Sequence, residues 1–174
     1  MRKAIALLCA VALAAGGLYA LGLAAAPEPT YQGDHLGMEP EDTPEEYLAR
    51  VGASIREDAP PSFALVSFER ESSFEAAAAA LRPAGRVSAI VFDAVAPRAV
   101  PEPTGGEDRA DVFAREARRL AASGEKRDGV IGAVVYAPGE ELARIRGEAG
   151  VFAVEALPAD AAWGSFAIAP VRPQ

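Results

Sequence analysis

Apolar positions recur along this chain in three different rhythms, and each predicts a different kind of element. Residues 4–26 form one apolar run with no charge in it. From Thr43 onward the apolar positions fall at helical spacing. Tyr47, Leu48, Val51 and Ile55 share a face, Thr43 stands where an N-cap is needed, Pro44 suits the first helical position and Glu46 completes a capping box. Pro60 and Pro61 end that helix. Beyond it, aromatic and β-branched stretches alternate with alanine-rich or amphipathic ones. Residues 63–69 (FALVSFE), 86–95, 129–137 and 151–157 read as strands, and 165–171 as a fifth. The nearly continuous apolar run at 86–95 implies a central strand buried on both faces. Helices are predicted from a capping box at Ser72 and Glu75 to about Arg82, from an Asp108 cap through Phe113 and Leu120, and over 139–146.

The order of these elements contains an echo. Residues 63–92 and 131–157 each run strand, helix, strand, with Gly85 and Gly150 just before the second strand. Two such halves in tandem predict an α/β domain of the α+β two-layer kind, a ferredoxin-like split βαβ sandwich with the helix around Phe113 inserted between the halves. The resemblance lies in element order alone, and that fold hosts many functions. The alternative is an open, mostly parallel three-layer sheet.

The first run changes the picture from a soluble domain to a tethered one. As a helix, its 23 residues would be about 34 Å long, enough for a bilayer core of roughly 30 Å. Arg2 and Lys3 precede it and the next charges are the acids Glu28 and Asp34, so residues 1–3 are expected as a cytoplasmic stub. The run exceeds the roughly 7–15 residues of a secretory h-region. Residues 24–26 are an Ala-x-Ala, but Pro27 makes a poor cleavage context. A retained single-pass signal anchor at 4–26 is therefore expected, contacting the bilayer; secretion after cleavage is the alternative. Residues 27–42 are acidic, proline-rich and without period, and read as a linker. Residues 43–174 are then the extracytoplasmic domain.

Charge and composition narrow the function classes. The net charge of −8 is uneven: residues 27–61 carry nine acids and two arginines. That balance, with the exported location, disfavours nucleic acid. Cys9 is the only cysteine and lies inside the apolar run, so the exported part holds together without disulfides. Fifteen arginines against two lysines, with long alanine tracts, suggest a GC-rich bacterial coding sequence.

Catalytic chemistry finds little to assemble. His35 is the only histidine and stands beside Asp34 in the linker, which excludes the usual metal-ligand sets and His-based triads. A Ser123–Lys126 dyad falls in a polar helix end, with Gly124 as its C-cap. Residues 103–111 (PTGGEDRAD) place two glycines before a helix start, as a phosphate cradle does, but Glu107, Asp108 and Asp111 would repel an anion. Glu69, Asp93 and Glu155 lie at or near strand ends and supply the only carboxylate pair worth weighing for hydrolysis. No catalytic residue, cofactor or metal is expected, and the chain reads as a non-enzyme.

One stretch runs against the acidic balance. Arg109, Arg115, Arg118, Arg119, Lys126 and Arg127 face only Asp111, Glu116 and Glu125. They, together with the sole tryptophan, Trp163, are the candidate contacts for a protein partner or for anionic lipid. The expected function is a membrane-anchored extracytoplasmic domain with a structural or protein-interaction role, as an accessory subunit of a bacterial cell-envelope or membrane complex. The alternatives are a small-molecule or peptide sensor and, further off, a carboxylate-based envelope hydrolase.

Overall fold

The sheet is built from two interleaved β-α-β units. Strand β2 (Ser62–Ser72), helix α2 (Phe74–Ala80) and strand β3 (Arg86–Val91) form the first; strand β5 (Val130–Ala137), helix α4 (Gly139–Arg146) and strand β6 (Val151–Ala156) form the second. The computed structural model describes Gly16 and residues 34–173. The expected anchor at 4–26, apart from Gly16, and residues 27–33 of the expected linker lie outside the described residues. Among the described residues no helix is long and apolar enough to cross a membrane.

The strands lie in the order β4-β3-β5-β2-β6, where β4 is the two-residue strand Arg98–Ala99. All four ladders are antiparallel. Since β5 runs against both β2 and β3, those two are parallel and β5 fills the gap between them. By the same reasoning β2 fills the gap between β5 and β6. The protein is thus a mixed α/β fold with a five-stranded antiparallel sheet and four described helices, and the mostly parallel alternative is not formed. Run 86–95 was expected at the sheet's centre. Val87–Val91 are buried on both faces, as that run implies, but the strand stops at Val91, before the turn at Asp93–Ala94 where Ala94 takes a left-handed φ of 54°, and it lies between β5 and the short edge strand β4.

Alternation along the strands divides the core between two faces. On one, Val66, Phe68, Val87, Ile90 and Val135 meet Leu81, Phe113, Leu142 and Ile145 from the helical layer. Helix α3 (Arg109–Ala122) belongs to this layer and buries Val112, Phe113, Ala117 and Leu120. Its Asp108 cap is present, and Asp111 makes the cap reciprocal.

The other face is not open, as a two-layer sandwich would leave it. It is covered by strand β1 (His35–Leu36), helix α1 (Pro44–Val51) and the C-terminal segment, where β7 (Ala167–Ile168) pairs with β1 in parallel. Leu36, Tyr47, Val51 and Val171 pack there on Leu65, Ala89, Val134 and Ala153. Residues 34–42, expected as linker, are therefore part of the fold. The C-terminal segment bonds alongside β1: Ala167 N–H donates to Asp34 O (3.1 Å) and Ala169 N–H to Leu36 O (2.7 Å). Gly37 follows at φ +116°, and a Cβ there would collide with the Ala169 carbonyl. Helix α1 begins at the predicted Thr43–Glu46 box but ends at Val51, short of Ile55. There Ser54 Oγ donates to Val51 O (2.8 Å) and accepts from Ala156 N–H (3.1 Å), turning the chain onto β6.

Candidate functional site

Three polar or aromatic constellations stand out, and the sheet sets their places. The first is buried. Glu155 projects from β6 onto the face covered by α1 and is only 7% exposed. Its Oε2 accepts from Gly37 N–H (2.6 Å) and Tyr47 OH (3.2 Å), and its Oε1 from Arg50 (2.9 Å). Arg50 also donates to Gly37 O (3.2 Å) and Asp42 (2.6 Å), and its guanidinium lies 5.3 Å from the Tyr47 ring centroid. Burial pushes the Tyr47 phenol far above its ordinary value, and the Glu155 carboxylate adds to this. Tyr47 therefore stays a donor. Burial disfavours the charge on Arg50, but Asp42 and Glu155 outweigh it and raise its pKa. The hydrogen bond from Arg50 holds Asp42 below the usual carboxylate range. Every partner is satisfied, so this is a clasp that fastens residues 34–51 to the sheet.

A groove of about 540 Å³ occupies the end of the sheet where β2 finishes and β5 begins. Glu71, Asp93, Lys126, Arg127 and Asp128 line it, with Ser73 at the α2 start. Arg172 donates two hydrogen bonds to Asp93 Oδ1 (3.0 and 2.8 Å) and keeps that carboxyl below its ordinary range. A neighbouring hollow of about 310 Å³ shares Glu71 and Asp93 and adds Arg70, Val171 and Arg172. Asp93 and Glu155 are not brought together. Their strands, β3 and β6, are three strand spacings apart, roughly 14 Å. The carboxyls of glycosidases lie about 5–9.5 Å apart. Among the described residues there is no group of three His, Cys, Asp or Glu placed to hold a metal ion. His35 is half-buried in β1, not in a linker, and lies 3.0 Å from Glu39.

At the opposite end of β2 lies an aromatic surface. Phe63 is the register partner of Tyr136, and its ring centroid is 4.9 Å from that of Tyr136, 5.4 Å from Trp163 and 5.3 Å from Phe166. Trp163 meets Phe166 edge-on at 5.8 Å. The two outer rings remain exposed, Trp163 by 47% and Tyr136 by 39%. Phe63, Tyr136 and Phe166 carried no local signal of this cluster. Their spacing of 73 and 30 residues closes only when β2, β5 and the C-terminal segment are assembled.

The predicted basic contacts do not form one free surface. Arg109 turns inward, donating to Leu81 O (2.5 Å) and Ala84 O (2.6 Å) at the end of α2, 3.5 Å from Glu102. It adds a second bond to the Leu81 carbonyl, which already accepts from Ala84 N–H, and ties down the turn that follows α2. Arg115 pairs with Glu107, Arg119 with Glu116 (2.9 Å), Lys126 with Asp128 (3.3 Å) and Arg127 with Glu125 (3.2 Å). Arg118 is exposed. Only Lys126 and Arg127 reach the groove, while Trp163 stands at the other end of the sheet.

Glu116 is the one nearly buried carboxylate on α3, at 3% exposed, and Arg98 of β4 bonds it at 2.8 Å. Burial alone would raise its pKa, but Arg98 and Arg119 more than offset this and hold it below the ordinary value. A depressed carboxylate contributes stability above its unfolded-state pKa, about 4.3, and loses it as pH falls through the folded value. The Tm gap between the parent and Glu116→Gln should therefore be full at pH 6–7 and shrink below about pH 4. A gap unchanged down to pH 2 would show that the ion pairs contribute nothing.

No protein-family model, curated protein or solved structure matches this chain.

Proposed function

We propose that the chain is a single-pass membrane-anchored protein whose extracytoplasmic domain has a structural or protein-interaction role and no catalytic one. On this reading residues 4–26 are the anchor, the N-terminus is cytoplasmic, and the partner is a membrane or cell-envelope protein. The domain itself we read as a ferredoxin-like split βαβ arrangement: β6-β2-β5-β3 is the interleaved order that two tandem β-α-β units produce. Helix α3 and strand β4 are the insertion between the halves.

The observation that carries the interaction role is the groove lined by Glu71, Asp93, Lys126, Arg127 and Asp128. Small-molecule sites are mostly apolar and enclosing. This one is polar and rimmed by both signs of charge, which suits the rim of a protein interface and gives it electrostatic register. Its walls come from the end of β2, the β3–β4 turn and the α3–β5 loop, so the fold holds these charges in a set pattern.

The test is a C-terminally tagged full chain, extracted from membranes in mild detergent. A stoichiometric partner should co-purify with the parent and be lost from a Glu71→Arg, Lys126→Glu variant whose circular dichroism and Tm are unchanged. A chain that runs as a lone monomer in every mild detergent would sink the interaction role. A chain that leaves the membrane on alkaline washing would sink the anchor.

A further inference from the structure

Residues 34 and 35 join the fold beside the aromatic surface. Asp34 O accepts from Ala167 N–H, and His35 is the register partner of Ala167. Ala167 directly follows Phe166, which touches both Phe63 and Trp163. The aromatic surface that carries the exposed rings of Trp163 and Tyr136 thus includes the sequence neighbour of the residue that pairs with His35. On the anchored reading above, on which this inference rests, only residues 27–33 separate Ala26 from that point. Eight extended steps at about 3.3–3.6 Å span at most roughly 26–29 Å. The tether therefore keeps this end of the sheet within reach of the membrane surface.

We propose that the Trp163–Tyr136–Phe63–Phe166 surface rests on the headgroup region of the bilayer that holds the chain's own anchor. Tryptophan and tyrosine are the side chains suited to that depth, with an apolar ring and a polar tip. Arg86, opposite Tyr136 in the β3–β5 ladder, is an exposed base at this end, and Arg56, exposed beside Ser62 and Gly139, is another. The domain is otherwise acidic, so attraction to anionic lipid does not drive the contact. The rings supply the affinity, and the tether raises it by keeping the local concentration high. The contact also orients the domain. Glu71 lies eight residues along β2 from Phe63, roughly 27 Å away. The charged groove then points away from the membrane, toward whatever approaches from outside.

Trp163 is the only tryptophan, so its fluorescence reports on this surface alone. The full chain would be reconstituted into zwitterionic phosphatidylcholine vesicles and excited selectively at the indole. The expected result is a blue-shifted emission, quenching when the lipids carry bromine near the headgroup end of the chains, and protection from aqueous acrylamide. Tyr136→Ser should reduce both the lipid quenching and the protection. Floating the vesicles after an alkaline wash tests the anchor separately. A chain that floats while Trp163 is open to acrylamide and untouched by brominated lipid overturns this proposal and leaves the anchor standing. A blue shift that develops only when a second protein is added overturns it equally, for then the surface meets protein. A chain that does not float overturns the anchor and this proposal with it.

Discussion

Glu155→Ala should be among the most destabilising single changes in the domain, costing about 3–4 kcal/mol, near the lower end of what breaking a buried ion pair costs. The deletion leaves the buried Gly37 N–H and Tyr47 hydroxyl without the carboxylate that accepts from them. An unsatisfied buried donor costs about 1–3 kcal/mol. Arg50 is partly exposed and can rehydrate, which keeps the total from going higher. Glu155→Gln keeps the shape and an acceptor but not the charge, and should cost about 1–2 kcal/mol. In thermal unfolding followed by circular dichroism, the alanine variant should lose roughly 10–15 °C in Tm. Limited proteolysis should then cut first within residues 34–51, the segment the clasp holds. Because the Tyr47 hydroxyl donates to Glu155 itself, Tyr47→Phe should add little to Glu155→Ala. A Glu155→Ala Tm within a few degrees of the parent would mean that the carboxylate is not fastening that segment.

The second large effect concerns helix α3. If it were an appendage inserted between two self-sufficient halves, trimming it would be cheap. The packing says otherwise. Phe113 is 1% exposed and lies in the same cluster as Phe68, Ile90 and Leu81, so α3 supplies part of the layer covering β3 and β5. Phe113→Ala should cost about 3–5 kcal/mol, from lost transfer energy and the cavity left behind. Arg118→Ala, on the exposed side of the same helix, should fall within about 0.5 kcal/mol of the parent. Urea midpoints at constant m-value would compare the two directly. Equal costs for the two variants would return α3 to the status of an appendage.

Much of the secondary structure was legible because its causes are local. The Thr43–Glu46 box and the Asp108 cap are hydrogen bonds between residues three apart, so the letters alone reveal them. Alternating or continuous β-branched runs marked β2, β3, β5 and β6 because a strand's burial repeats over a few residues. The misses have equally physical causes. Helix α1 stops early because Ser54 takes the Val51 carbonyl and binds a strand 102 residues away. The pairing of the basic residues was not legible either, because Glu102, Glu107 and Asp128, which meet Arg109, Arg115 and Lys126, lie outside residues 109–127.

The sequence by itself determined the four long strands and the four helices, their order, the tandem β-α-β plan and the poverty of cysteines and histidines. These follow from side-chain periodicity, backbone capping and simple inventory. Only the tertiary structure decided that the acidic residues 34–42 are part of the fold and that Glu155 is the buried hub of that segment. It also decided that four aromatic rings from distant segments share one surface while the charges gather at the other end of the sheet. Glu155 meets Gly37 across 118 residues of chain. Whether a carboxylate is buried, or a ring exposed, depends on which strands become neighbours, and no local pattern carries that information.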